Sequence, residues 1–377
     1  LAPRQTKKHI FVTGFPTYTT IKIIQKIAEE QSFVHVHMLA MKKFLPMTKK
    51  YLNKLSKPAQ KKITIYSGDV TYLDLGLSGD EHTYLCNKVT HILHLAAAWD
   101  MGVPKDYCEE IDVHGTRNVL DFAEDCKKLV RFGHFSTIHV SGDRNGIIQE
   151  DEFDLGQKFK NHQEETRYKS ERLVRRHMDK GLPVTIFRLG NVVGDSSNGE
   201  ILKFEGPYIF AKLLLTTDKT LPFFLPGPCE GLANLVPVDF VAAACIYIFN
   251  QEESKGKTYH ITDPYPLATR TIFDAVCNYI GRTTPTYGVP KKLYKAVFLI
   301  PGMEAFAGVP KHLFEYFNHK AIHNCSNTLE ILNKTDISCP RFDTYLPVSV
   351  EFSRKLLKRQ FEKRELEKTF DPFDGLQ

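Results

Sequence analysis

Eight cysteines are present, at Cys86, Cys108, Cys126, Cys229, Cys245, Cys277, Cys325 and Cys339, yet no two of them form a Cys-x-x-Cys pair. That absence argues against a zinc ribbon or a redox dithiol. It fits buried thiols in a reducing compartment, the cytoplasm or an organelle matrix. No metal site is expected. Also missing are a secretory leader and any apolar run long enough to span a bilayer. The chain begins at Leu1 rather than Met, and an organelle-targeting segment removed ahead of it would leave no trace. There is no internal repeat and no low-complexity segment. Charge bias is small: 50 Lys and Arg against 44 Asp and Glu give a formal net charge of +6. Lysines gather at Lys49-Lys50, Lys54, Lys57 and Lys61-Lys62, and the tail from Arg354 to Lys368 is basic. A solvated face is the expected reading of both, without a nucleic-acid partner.

What is present suits a large soluble core: 377 residues, 42% hydrophobic and 25% charged. His9-Ile-Phe-Val-Thr-Gly14 reads as a strand, and Ile21, Ile24 and Ile27 give the helix that follows it. Further strands are expected at Val34–Leu39, Ile63–Tyr66, His91–Ala97, Phe132–Val140 and Pro183–Arg188, with helices over 113–126 and about 163–178. Strands alternating with helices imply a parallel sheet covered on both faces. Past residue 195 the alternation stops. Gly206-Pro207, Pro222, Pro226-Gly-Pro228, Pro237, Pro264 and Pro266 punctuate the chain, and its last hundred residues carry mainly helical patterns. The expected fold class is α/β, a doubly wound parallel Rossmann-type sheet with a smaller, mainly helical C-terminal lobe. Residues 1–195 would form the first unit, its sheet completed by strands from 235–265, and residues 196–377 the second. The apolar stretch Leu293–Val309 is read as core of the smaller lobe, with an acyl-pocket lining or a partner surface as alternatives. The terminal helix from Val350 would dock through Phe352, Leu356, Leu357 and Phe361.

Several short segments recur in a telling order. Val12-Thr13-Gly14 is followed by Asp69-Val70 after the third strand and Leu95-Ala96-Ala97 after the fourth. Then come Asp112-Val-His-Gly115-Thr116, Phe135-Ser136-Thr137 through Gly142, and Arg188-Leu-Gly-Asn191-Val-Val-Gly194-Asp195. Val236-Pro-Val-Asp239 and Thr258-Tyr-His-Ile-Thr-Asp263 close the series. Over nearly its whole length the chain resembles an extended short-chain dehydrogenase/reductase of the NAD-dependent epimerase/dehydratase kind. Its Gly14-Phe-Pro opening and Cys339-Pro-Arg-Phe segment resemble the thioester-reductase or acyl-reductase branch.

That resemblance implies a nucleotide site at Gly14, Thr17, Thr20, Lys42, Asp69, Val70, Leu95, Ala96, Ala97 and Asn191. Only Gly14 survives of the family's three glycines; Thr17 and Thr20 fill the other two places, and a side chain at 17 is expected to crowd a diphosphate. The helix N-terminus and its free N–H groups remain for an anion. Lys42 and Lys43 stand where an acidic residue would select NAD, which favours NADP among the two, although the expectation is that no cofactor is bound.

The resemblance also implies a catalytic Ser or Thr, at Thr137, and a Tyr-x-x-x-Lys pair. At the aligned positions stand Gln163 and Arg167. A tyrosine beside an ammonium can exchange a proton near neutrality, whereas a glutamine amide does not titrate and an arginine stays protonated. Alignment on Glu171-Arg-Leu-Val-Arg fixes this register; an alternative register would put Tyr168 and Arg172 in the pair, and His162 is a further alternative acid/base. The literal pairs Tyr84/Lys88, Tyr208/Lys212 and Tyr316/Lys320 lie outside the helix concerned. The expectation is a catalytically degenerate dehydrogenase-like protein acting as a binding or structural module in a larger assembly. A protein partner or homo-oligomer and a small acyl ligand go with it. The alternative is an active NADP-dependent reductase of acyl, thioester or carbonyl substrates; a third class is an isomerase or dehydratase.

Overall fold

A computed structural model describes residues 7–98, 103–204, 206–218, 225–284, 288–289 and 311–369. Its centre is one sheet of seven strands: β1 (Lys8–Thr13), β2 (Val34–Ala40), β3 (Ile63–Ser67), β4 (His91–His94), β5 (Arg131–Thr137), β6 (Val184–Leu189) and β7 (Lys257–Ile261). They lie in the order β7-β6-β5-β4-β1-β2-β3, and every neighbouring pair is parallel. The order reverses between β1 and β4. In doubly wound sheets that switch opens a crevice at the carboxyl ends of the strands.

Side chains alternate between the two faces of a strand, so each strand must feed two cores. Ile10 and Val12 of β1 join one cluster with Ile23, Ile24 and Ile27 of helix α1 (Tyr18–Glu30). Phe11, between them, joins the other, with Val119 and Phe122 of α2 (Gly115–Asp125) and Val174 of α3 (His162–Asp179). Helix α4 (Val238–Phe249) is apolar nearly all round because it lies between the sheet and α1. A third cluster, Phe210, Leu214, Phe273, Phe317, Leu346 and Val350, holds the helices Tyr208–Thr216, Thr269–Ile280 and Phe342–Thr369 together.

Several boundaries differ from the sequence reading. The fourth strand stops at His94, leaving Leu95–Ala98 as an apolar loop over the crevice. The fifth ends at Thr137, whose hydroxyl accepts from His139 N at 3.3 Å and starts a 3-10 turn, Ile138–Ser141. Helix α2 is preceded by a π-helical segment, Glu109–His114. In the late part of the chain Ala321–His323 forms a parallel pair with Gly146–Ile148. On the last helix Leu357 is buried and Phe361 exposed. The apolar stretch Leu293–Val309 lies outside the described residues. Among the described residues no helix is long and apolar enough to cross a membrane.

Candidate functional site

Gly14 leaves β1 with φ of +95°, and a Cβ there would sit 2.6 Å from the Leu95 carbonyl carbon. Only glycine fits that approach of two backbones. Thr17 is the N-cap of α1. Its Oγ1 lies 3.4 Å from Thr20 N and 2.7 Å from Thr20 Oγ1, and the Thr20 hydroxyl donates to the Gly14 carbonyl at 3.1 Å. The two threonines thus brace the turn from within. Nearby, Lys22 Nζ lies 2.8 Å from Asp195 and 3.3 Å from Glu200, and the Tyr18 hydroxyl donates to Glu200. The lysine on the first turns of α1 is therefore already neutralised, and two carboxylates face any anion drawn to that end.

The other residues expected on the nucleotide side follow successive strands of the sheet. Asp69, after β3, accepts from Thr71 N and Thr71 Oγ1, both at 3.0 Å. Val70 is buried against Gly115, where a Cβ would meet Val70 Cγ2 at 2.8 Å. Ala96 N donates to Thr13 Oγ1; Leu95, Ala96 and Ala97 follow β4 directly. Lys42 and Lys43 are exposed on a 3-10 turn after β2. Asn191 reaches across to His139, Oδ1 to Nε2 at 3.2 Å.

Thr137 ends β5, while Gln163 and Arg167 lie on the first turns of α3. The Gln163 amide donates to the Ala98 carbonyl, in the loop after β4. Arg167 is only 4% exposed; its Nη2 donates to the Phe135 carbonyl at 2.5 Å and its Nη1 lies 3.9 Å from Asp112 Oδ1. Asp112, fully buried, also accepts from Ala98 N at 2.9 Å and from the Thr166 hydroxyl at 2.6 Å. Burial pushes its carboxyl up, and Arg167 and Thr166 oppose that shift. Asp112 and Arg167, the two residues expected from the sequence to replace the family's Asn and Lys, thus meet in one buried ion pair. Behind them runs a closed chain of polar contacts, Thr13–His94–Thr116–Ser170. Burial lowers His94 to about 3, so it is neutral at pH 7.

Tyr168 points elsewhere. Its ring stacks on Phe153 at 4.6 Å and packs on Phe159 at 5.0 Å. His162 is exposed at the first position of α3. One turn after Arg167, Glu171 is fully buried between Arg188 and Arg175 and accepts from Ser136 at 2.6 Å. Burial raises its carboxyl, but the two guanidiniums and the Ser136 bond outweigh that and hold it well below the usual carboxylate range.

Beyond Thr137 the sheet gives way to an apolar cavity of about 170 Å³. Ile138, His139 and Asn191 form its sheet side, while Phe210, Phe273 and Leu346 belong to the helices around it. Its polar corner is one the sequence reading missed. The Tyr316 hydroxyl donates to Glu164 at 2.5 Å and accepts from Asn161 at 2.8 Å; its ring lies 5.3 Å from Lys160 Nζ and edge-on to His139 at 4.9 Å. Burial and the Glu164 carboxylate push the phenol up, which keeps it protonated. Tyr316 belongs to a literal Tyr-x-x-x-Lys pair set aside for lying outside α3, and the partners that make it a site residue lie some 150 residues earlier in the chain.

Comparison with known proteins agrees with this architecture. A profile described as "Male sterility protein" matches residues 20–245, more than half of the chain. Glycine betaine reductase ATRR of Emericella nidulans is 27% identical over 216 residues, 56% of this chain and 17% of that protein. The alcohol-forming fatty acyl-CoA reductase of Simmondsia chinensis is 35% identical over 97 residues, 26% of this chain and 20% of that protein. The chain thus spans a fifth or less of the length of these two curated relatives. Among solved structures, the terminal R domain from the myxalamid PKS-NRPS biosynthetic pathway superposes with a TM-score of 0.76 at 21% identity, covering 95% of this chain and 92% of that one. UDP-glucuronic acid 4-epimerase from Bacillus cereus, in complex with NAD, gives 0.67 at 15% identity over 92% and 99%. Profile, relatives and sheet order together place the chain in the Male sterility protein family, within the reductase branch of the extended short-chain dehydrogenases.

Proposed function

We propose that this chain is a catalytically silent member of that reductase family, a module that binds an apolar, acyl-type ligand in the cavity beyond Thr137. The observation that carries this reading is the state of the aligned pair. Gln163 offers an amide already engaged with the Ala98 carbonyl, and Arg167 is a buried cation facing Asp112. Neither side chain can give and retrieve a proton at neutral pH. Loss of general acid–base help at this point costs about a hundredfold or more in rate. A dinucleotide, where held, would use the Gly14 turn, Asp69, Val70 and the Leu95–Ala97 loop, with Lys42 and Lys43 suited to a 2′-phosphate. Its contribution would be a hydride, and this chain supplies no aligned proton donor for the acceptor. Large synthetases occur among the relatives, including a linear gramicidin synthase of Brevibacillus parabrevis, and a solved neighbour is a thiolation-reductase di-domain. A partner that delivers an acyl chain fits the same reading.

A second reading has its own observation. Tyr316 is a phenol on the cavity wall with the Lys160 ammonium against its ring, which reproduces a tyrosine–lysine pairing from different elements. An active NADP-dependent reductase of acyl, thioester or carbonyl substrates would take its proton from Tyr316.

One set of measurements separates the two. Purified protein is titrated with NADPH and NADH by fluorescence, then mixed with a fatty acyl thioester while NADPH absorbance is followed. The silent-module reading expects a fluorescent fatty-acyl probe to bind and NADPH not to be consumed. Turnover that vanishes in Tyr316→Phe would overturn it in favour of the reductase.

A further inference from the structure

Beside the helix Gly79–Lys88, five chemistry-bearing residues from three separate stretches of sequence meet. His82 and Cys86 are four apart on the helix Gly79–Lys88, so they share one face a turn apart. Asp125 is the last residue of α2. One ligand atom from each of these three lies within 4.8 Å of the other two. The Cys86 Sγ is 3.7 and 3.8 Å from the two His82 ring nitrogens, and His82 Nε2 is 3.9 Å from Asp125 Oδ2. From the loop after β3, Asp74 brings Oδ1 to 3.8 Å from the same nitrogen. Cys126, next to Asp125, is buried like Cys86.

The surroundings hold this group in place. A capping box between Ser78 and Glu81 fixes the first turn of the His82 helix, and Lys127 N donates to the Cys86 carbonyl at 3.2 Å, tying the two helix ends together. Phe122 sets its ring edge-on to His82 at 5.5 Å. Asp74 has φ of +50°, and Leu75 beside it has φ of +59° while being fully buried, so the core pins an unfavourable turn that presents Asp74. Asp74 and Asp125 are 59% and 63% exposed, and His82 18%. An ion can reach them from solvent. Among the described residues neither carboxylate has a lysine or arginine within ion-pair distance; the side chain both approach is the His82 imidazole.

We propose that His82, Cys86 and Asp125 form a zinc site, with Asp74 or water completing the tetrahedron. Imidazole nitrogen, thiolate sulfur and carboxylate oxygen together are a borderline-soft set that suits Zn²⁺. Rotamer changes at Asp74 and Asp125, the two exposed members, bring their oxygens within ligand distance. Zinc displaces the thiol proton: the S–H bond breaks, the S–Zn bond forms, and the proton passes to buffer. The helix Gly79–Lys88 leads into β4 and α2 into β5, and the ion would sit between these two helices. Its role is to clasp the two helices, not to touch a reacting group.

The test uses the full chain, a non-thiol reductant and zinc chloride. Equilibrium dialysis is expected to give one zinc per chain, and calorimetry in two buffers the release of about one proton on binding. Cobalt chloride should give a thiolate-to-metal absorption band that Cys86→Ser abolishes. His82→Gln and Asp125→Asn alter accessible side chains and leave the fold intact by circular dichroism; each is expected to weaken zinc at least about tenfold. Failure of the wild-type chain to take up stoichiometric zinc would overturn the assignment, and so would zinc binding that all three variants retain undiminished.

Discussion

The ion pair between Asp112 and Arg167 can be weighed by a double-mutant cycle. The two groups face each other at 3.9 Å, with exposures of 0% and 4%. At that distance and an effective dielectric constant of about 20 the Coulomb attraction is about 4 kcal/mol. Removing one partner of a buried pair leaves the other uncompensated and costs about 3–5 kcal/mol. Asp112→Asn takes the carboxylate from a guanidinium that keeps its bond to the Phe135 carbonyl. Arg167→Met takes the cation from a carboxylate that keeps its bonds from Ala98 N and the Thr166 hydroxyl. Each single variant should therefore lose about 3–5 kcal/mol, while the double variant should lose about 2–3 kcal/mol less than their sum, as contacting charged pairs do. Urea unfolding of all four proteins at pH 7, with the slope checked for constancy, measures it. Additive losses, agreeing within about 0.5 kcal/mol, would refute the idea that the two departures from the family pattern act as one unit.

Two more outcomes follow from the same geometry. Glu171 has its carboxyl depressed in the folded chain, so its contribution is present above the ordinary carboxylate range and is lost as pH falls toward the folded value. Glu171→Gln should therefore be destabilised by about 3–5 kcal/mol at pH 7, and thermal melts should show the gap to wild type narrowing below about pH 4.5. Thr17→Gly removes a capping hydroxyl at a cost of a few tenths of a kcal/mol and clears the side chain from the Gly14 turn. NADPH affinity measured by fluorescence should rise about tenfold, a gain of about 1.4 kcal/mol; an unchanged affinity would show that crowding at position 17 is not the obstacle.

The doubly wound sheet was legible because its strands announce themselves locally. Segments such as Ile10–Val12 and Val184–Leu189 are short apolar runs between turn residues, and the helices between them carry a clear apolar stripe. Their ends were less legible. Leu95, Ala96 and Ala97 continue the apolar run of β4, yet they form a loop, since burial under a crevice wall and burial in a sheet call for the same residue types. Thr137 gives no local sign that it ends β5; its side chain does so by capping the next turn. The positions of Gln163 and Arg167 on α3 could be read by alignment. Their engagement with Ala98, Phe135 and Asp112 could not, because those contacts join loops far apart in sequence. The partners of Tyr316 and the His82–Cys86–Asp125 group were hidden for the same reason: spacing rules find residues that are neighbours in the chain, and here the neighbours are made by packing.

The last strand of the sheet also bears on how the protein can be divided. β7 comes from residues 257–261 and covers the outer edge of β6, pairing Thr185 to Leu189 along its whole length. A polypeptide cut near residue 195 would present β6 as a naked row of amide donors and carbonyl acceptors flanked by Ile186, Phe187 and Leu189. Such an edge recruits the same edge of another molecule. Fragments ending there are expected to self-associate, whereas those carried through residue 261 keep that border sealed.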